Sequence, residues 1–113
     1  MPARLKFAST APVAVQVLAR LLGSRLRLAR KRRRFTLREL AARAGIAYDT
    51  ARAVEAGNLQ TGFGAYLALA WALGLDDKFA SLLAPEDDVD GVALELARTP
   101  QRVRHASQSD DEF

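Results

Sequence analysis

The side chains with chemistry to offer lie mostly between Arg30 and Gln60, and they are cations and hydrogen-bonding groups rather than nucleophiles. Arg52 carries a planar guanidinium that fits guanine O6 and N7 bidentately; a solvated or phosphate-only arginine is its alternative. Tyr48 can pack on a thymine methyl, reach a phosphate, or simply pack near a turn. Asp49 can accept from cytosine N4, yet it repels phosphate. At a helix start it would also contribute about 0.3–1 kcal/mol through the helix dipole, the reading favoured here. Thr50 adds a hydroxyl beside them. Catalytic chemistry is poorly supplied. The single histidine, His105, stands in a polar tail, and cysteine is absent. Neither a phosphate-cradling P-loop nor a metal-spaced His/Cys cluster occurs. Gly62-Phe-Gly64 is a lone GxG without strand–helix context, and Glu86–Asp90 lacks an EF-hand pattern and reads as a solvated linker. No enzymatic activity, cofactor or metal is expected.

Composition narrows the setting. A chain of 113 residues, half of them apolar, suits one compact domain plus tails. Without cysteine there is no disulfide framework, and a cytoplasmic setting is the natural expectation. Met1–Pro12 lacks the apolar run of a signal peptide. Phe63–Leu75 is apolar but short for a membrane span of roughly 20 residues, so no membrane partner is expected. Net charge is +4, distributed unevenly. Met1–Arg34 holds ten Lys/Arg and no acid, whereas Asp76–Phe113 holds four Lys/Arg and ten acids. The basic end suits a polyanion and the acidic end repels one; a solvated basic helix would look similar.

Helical elements must position these groups. Met1–Ala11 reads as a loosely ordered leader, with Ser9 and Thr10 available as caps and Pro12 tolerated in a first turn. Val13–Arg33 reads as a helix with Val15, Leu18, Leu22, Leu26 and Ala29 at helical spacing, and Gly23–Ser24 allows a kink or restart. Thr36-x-x-Glu39 is a capping box, and Phe35 and Leu40 can staple it. The spacing predicts a helix over Leu37–Ala44 ended by Gly45, then a second over about Tyr48–Ala56 ended by Gly57. Two short helices joined by a tight glycine turn form a helix-turn-helix, held by Leu40, Ala41, Ala44, Ile46, Ala51 and Val54. Phe63–Leu73 follows as a helix stopped by Gly74. Asp76 caps a short helix through Leu83, ended by Pro85. Asp90–Arg98 can form a weak amphipathic helix broken by Thr99–Pro100, and Ser107–Phe113 reads as disordered.

The stretch LGSRLRLARKRRRFTLRELAARAGIAYDTARAVEAGN (Leu22–Asn58), continuing through YLALAWALGL (Tyr66–Leu75), resembles the Xre/Cro-repressor-like helix-turn-helix family. The resemblance implies an all-α fold: a five-helix repressor-like domain, here with an N-terminal helical extension and an acidic C-terminal tail. The expected division is 1–11 leader, 12–84 DNA-binding domain, 85–113 tail. It also implies a homodimeric repressor on an inverted-repeat operator in double-stranded DNA. Tyr48, Asp49 and Arg52 stand where that family reads base edges. Thr36, Leu37, Arg38, Arg43, Ala47, Thr50 and Asn58 complete the expected DNA contacts, with Gln60 beside Asn58. Arg34, Leu37 and Ala47 depart from the family's usual Gly, Gln and Ser/Thr; at Ala47 a cap and a phosphate-contacting hydroxyl are lost. Arg30 and Glu55 occupy slots of a structural ion pair.

The helix Phe63–Leu73 is apolar all round. Phe63, Tyr66, Leu67, Leu69, Ala70 and Leu73 form the expected inward set. Ala68, Trp71 and Ala72, with Ala65, are expected to meet a second copy or a partner; the alternative is cover by Val13–Leu21 or the tail. The short domain with its flanking tails also resembles HipB-type antitoxins, which implies the alternative function: a tail that neutralises a protein toxin and a helix-turn-helix that autorepresses the shared operon.

Overall fold

The computed structural model describes residues 7–8 and 10–98, and among these every regular element is helical. The chain divides into two compact units, Met1–Ala80 and Ser81–Phe113. The expected readings of Met1–Lys6, Ser9, Thr99–Pro100, His105 and Ser107–Phe113 fall outside the described residues. Phe7, Ala8 and Thr10 are helical, unlike the loose leader expected there.

Helix α1 (Val13–Arg32) runs unbroken through Gly23. The restart allowed at Gly23–Ser24 does not occur, and Gly23 serves a close approach. A Cβ there would stand 2.5 Å from the Val54 carbonyl oxygen and 2.7 Å from that of Glu55. Pro12 rather than Ser9 or Thr10 takes the N-cap position, with no side-chain cap. The Gln16 amide donates to the Ala11 carbonyl at 2.8 Å and ties the preceding segment down.

Helix α2 (Leu37–Ala44) begins at the capping box and stops at Gly45, whose φ of 74° suits a residue without a Cβ. The Ile46 N–H bonds the Ala41 carbonyl and the Gly45 N–H bonds that of Ala42, a Schellman closure. Helix α3 (Tyr48–Glu55) closes the same way at Gly57, and α4 (Phe63–Ala72) at Gly74. α1 ends with this geometry too, but Arg34 occupies its left-handed position at φ 58°.

Leu40, Val54 and Leu69 are fully buried at the centre, surrounded by Leu26, Ala29, Ala41, Ala51, Tyr66, Ala70 and Leu73. α1, α2, α3 and α4 thus each contribute to one core, and the six residues expected to hold the helix pair all pack in or against it. Upstream, the expected periodicity of α1 overreaches: Leu26 and Ala29 are buried, Val15 and Leu18 exposed. α4 differs as well. Phe63 and Leu67 are exposed rather than inward, and Ala65 and Ala72 pack against the core. α5 (Asp76–Ala80) ends before the expected Leu83, which takes φ 57°, and Asp76 is its first helical residue rather than its cap.

In the second unit, a 3₁₀ turn (Pro85–Asp87) precedes α6 (Val89–Arg98). The Asp88 side chain accepts from the Gly91 N–H at 3.0 Å and opens that helix.

Candidate nucleic-acid interface

The start of α2 is built by two reciprocal hydrogen bonds. Thr36 Oγ1 accepts from the Glu39 N–H at 3.0 Å, and Glu39 Oε1 accepts from the Thr36 N–H at 2.8 Å. These bonds hold the Glu39 carboxyl below its ordinary pKa, with a smaller contribution from the charge of Arg43. A helix start leaves its first N–H groups without intrahelical partners. The box consumes those of Thr36 and Glu39, so the Leu37 and Arg38 amides remain as the anion-facing pair.

α3 is set against this start by the turn Gly45–Ala47. Ala47 takes the N-cap position with extended backbone and no side-chain cap. The buried Ala51 and Val54 mark the inner face of α3. Asp49, Arg52 and Ala56, at i, i+3 and i+7, therefore share the outer face and are exposed. Tyr48, Thr50 and Ala53 are half-buried at its borders. Asp49 and Arg52 approach at 3.7 Å, with side chains 84 % and 67 % exposed.

Two arginines of α2 are steered by rings. The Arg38 guanidinium lies 4.2 Å above the Tyr48 ring, which joins the starts of α2 and α3. Arg43 lies 4.3 Å above Phe35. Such stacking fixes a planar cation without neutralising it. Beyond α3, Asn58 Oδ1 accepts from the Gln60 N–H at 2.7 Å, and Tyr66 donates its hydroxyl to the Asn58 carbonyl at 3.1 Å. Burial pushes the Tyr66 phenol above its ordinary pKa. The loop is thereby fixed, and the Asn58 carboxamide keeps its nitrogen as a donor.

The scaffold beneath is ionic. Arg30 Nε and Nη2 donate to the two Glu55 oxygens at 2.8 and 3.0 Å, and Nη1 donates to the Phe35 carbonyl at 2.9 Å. Both side chains are nearly buried. The bonds to Glu55 raise the Arg30 pKa against the lowering effect of burial. α1, the approach to α2 and the end of α3 are locked at one guanidinium.

Thr36, Leu37, Arg38, Tyr48 and Asp49 thus lie at the starts of α2 and α3, and Arg52 stands in the last turn of α3 on the outer face that Asp49 begins. Arg43, near the end of α2, and Asn58, beyond α3, flank them. Trp71 is 60 % exposed on α4, Ala68 is half-buried, and Ala72 packs against the core. Val15, Leu18 and Leu22 of α1 line a groove with Leu59, Phe63 and Tyr66 instead of covering Trp71. Reading the sequence missed the Arg38–Tyr48 stack, the Asp49–Arg52 pair and the outward Ala56. The i, i+3 spacing of the acid–base pair is the signal that could have found it.

Among the described residues, no helix is long and apolar enough to cross a membrane, and no group of three or more His, Cys, Asp or Glu is placed to hold a metal. A family model described as a helix-turn-helix domain matches residues 21–82. No curated protein and no solved structure matches the chain.

Proposed function

The chain belongs to the helix-turn-helix domain family, and we propose that it is a sequence-specific transcriptional repressor that binds its operator as a homodimer. The observation that carries this reading is the joint presentation of two things: the open Leu37 and Arg38 amides of α2 and the exposed outer face of α3. In such an arrangement α3 enters the major groove and the α2 start rests on the backbone. Thr36, Arg38, Arg43 and Asn58 supply phosphate contacts; Tyr48, Asp49, Thr50 and Arg52 face base edges. Phe63, Leu67 and Trp71 form an exposed i, i+4, i+8 stripe on α4, which supports self-association through Trp71 and Ala68. Trp71→Glu is expected to abolish a dimer seen by sedimentation while leaving helicity intact.

Selection of bound duplexes from a random pool tests the proposal. Enrichment of two inverted half-sites about one helical turn apart supports it. Binding without sequence preference, falling steeply with salt, would leave only a nonspecific DNA binder. The same exposed stripe favours a second reading, an antitoxin whose α4 face seats a protein toxin. A stoichiometric native partner released by Trp71→Glu would distinguish it.

A further inference from the structure

The outer face of α3 is unusually sparse. It presents one cation, one anion and one methyl group, Arg52, Asp49 and Ala56, with the half-buried Ala53 at its border. Its net charge is zero, so attraction to the phosphate backbone must come from elsewhere, from cations such as Arg38 and Arg43 on α2 and the basic run Arg30–Arg34. What α3 contributes is discrimination rather than affinity.

The Arg52 guanidinium and the Asp49 carboxylate stand 3.7 Å apart, one helical turn apart on the same exposed face. A donor fork and an acceptor therefore lie side by side. In the major groove, one G·C pair presents the complementary set: guanine O6 and N7 as acceptors, next to the cytosine N4 donor. An A·T pair presents only one acceptor beside the adenine amino group, and its thymine edge offers an acceptor and a methyl. Arg52 facing A·T would lose its second acceptor, and Asp49 facing thymine O4 would meet a like partial charge. Either mismatch leaves a charged group unpaired in a desolvated groove, which is the costly case.

We infer that Asp49 and Arg52 act as one unit that reads a single G·C base pair in each half-site, Arg52 on guanine and Asp49 on its paired cytosine. The inference rests on the proposed DNA-binding role of α3. Asp49 has two effects in this arrangement. It lies within ion-pair range of the arginine before binding, and it supplies the acceptor that an arginine alone lacks. Ala53 and Ala56 are small enough to let the pair approach the groove floor, and their methyls suit a neighbouring thymine methyl.

The test compares base preferences selected by the full-length wild type, Asp49→Ala, Arg52→Ala and the double variant. Unfolding midpoints and helicity serve as folding controls, since both residues are exposed. The wild type is expected to fix one G·C position per half-site. Each single variant should relax that same position by about tenfold, and the double variant should relax it little further. On the wild-type site, 7-deazaguanine at that position, which lacks N7, should weaken the wild type and leave Arg52→Ala nearly unaffected. Relaxation of two separate positions by the two variants, or unchanged preference in both, overturns the coupled reading while sequence-specific binding stands. Absence of any enrichment by the wild type overturns the DNA-binding role and this inference together.

Discussion

Arg30 grips Glu55 with two parallel hydrogen bonds of 2.8 and 3.0 Å, and the same guanidinium holds the Phe35 carbonyl. With side chains 12 % and 7 % exposed, the pair is shielded from solvent. Removing one partner leaves a partly buried charge without compensation, at a cost of about 1–3 kcal/mol, whereas apolar replacement of both costs less. Arg30→Met and Glu55→Leu are each expected to be strongly destabilising in urea unfolding, and the double variant milder than their sum. Additive losses would show that the two side chains act independently.

Arg34 sits where α2 and α3 end in glycine. Its φ of 58° places a Cβ in the left-handed region, at roughly 1–2 kcal/mol. Arg34→Gly relieves that strain but costs roughly 0.5–1 kcal/mol of unfolded-chain entropy, so a net gain of about 0.5–1 kcal/mol is expected. For a domain of this size that is a rise in Tm of about 2–8 °C. A lower Tm would mean that the Arg34 side chain contributes more than its backbone strain costs.

Ala47 begins α3 without a cap. Ala47→Ser places an acceptor at the same extended backbone position and is expected to stabilise the protein by about 0.5–2 kcal/mol. Thermal unfolding followed by circular dichroism measures this, and no change in Tm would show that the first turn of α3 is already held by packing.

Gly23 sets two effects against each other. In an open helix, Gly→Ala gains about 0.8–1.0 kcal/mol. Here the new Cβ would meet backbone at 2.5 Å and force α1 from α3, at about 1–3 kcal/mol or more. Overpacking wins, so Gly23→Ala should lower the urea midpoint. A raised midpoint would show that α1 and α3 separate easily.

How far the sequence foretells the molecule depends on whether the deciding interaction is local. Thr36, Glu39, Gly45 and Gly57 bound α2 and α3 within a residue or so, because caps act over three or four positions. Gly23 looked like a kink, because its reason lies some thirty residues away in the chain, at the Val54 carbonyl. The apolar α4 carried no periodic contrast, so nothing in its composition told Phe63 and Leu67 from the buried Tyr66 and Leu69. Within the interface, residue types and helix faces were legible. The Arg38–Tyr48 stack, which joins two elements, was not.

Amide chemical-shift mapping on titration with a selected operator duplex reads out where the DNA sits. The largest shifts are expected at Leu37 and Arg38 and along Tyr48–Ala56, with Trp71 nearly silent to DNA. Shifts centred on α4 or α6, with the start of α2 and the outer face of α3 unmoved, would contradict binding through α2 and α3.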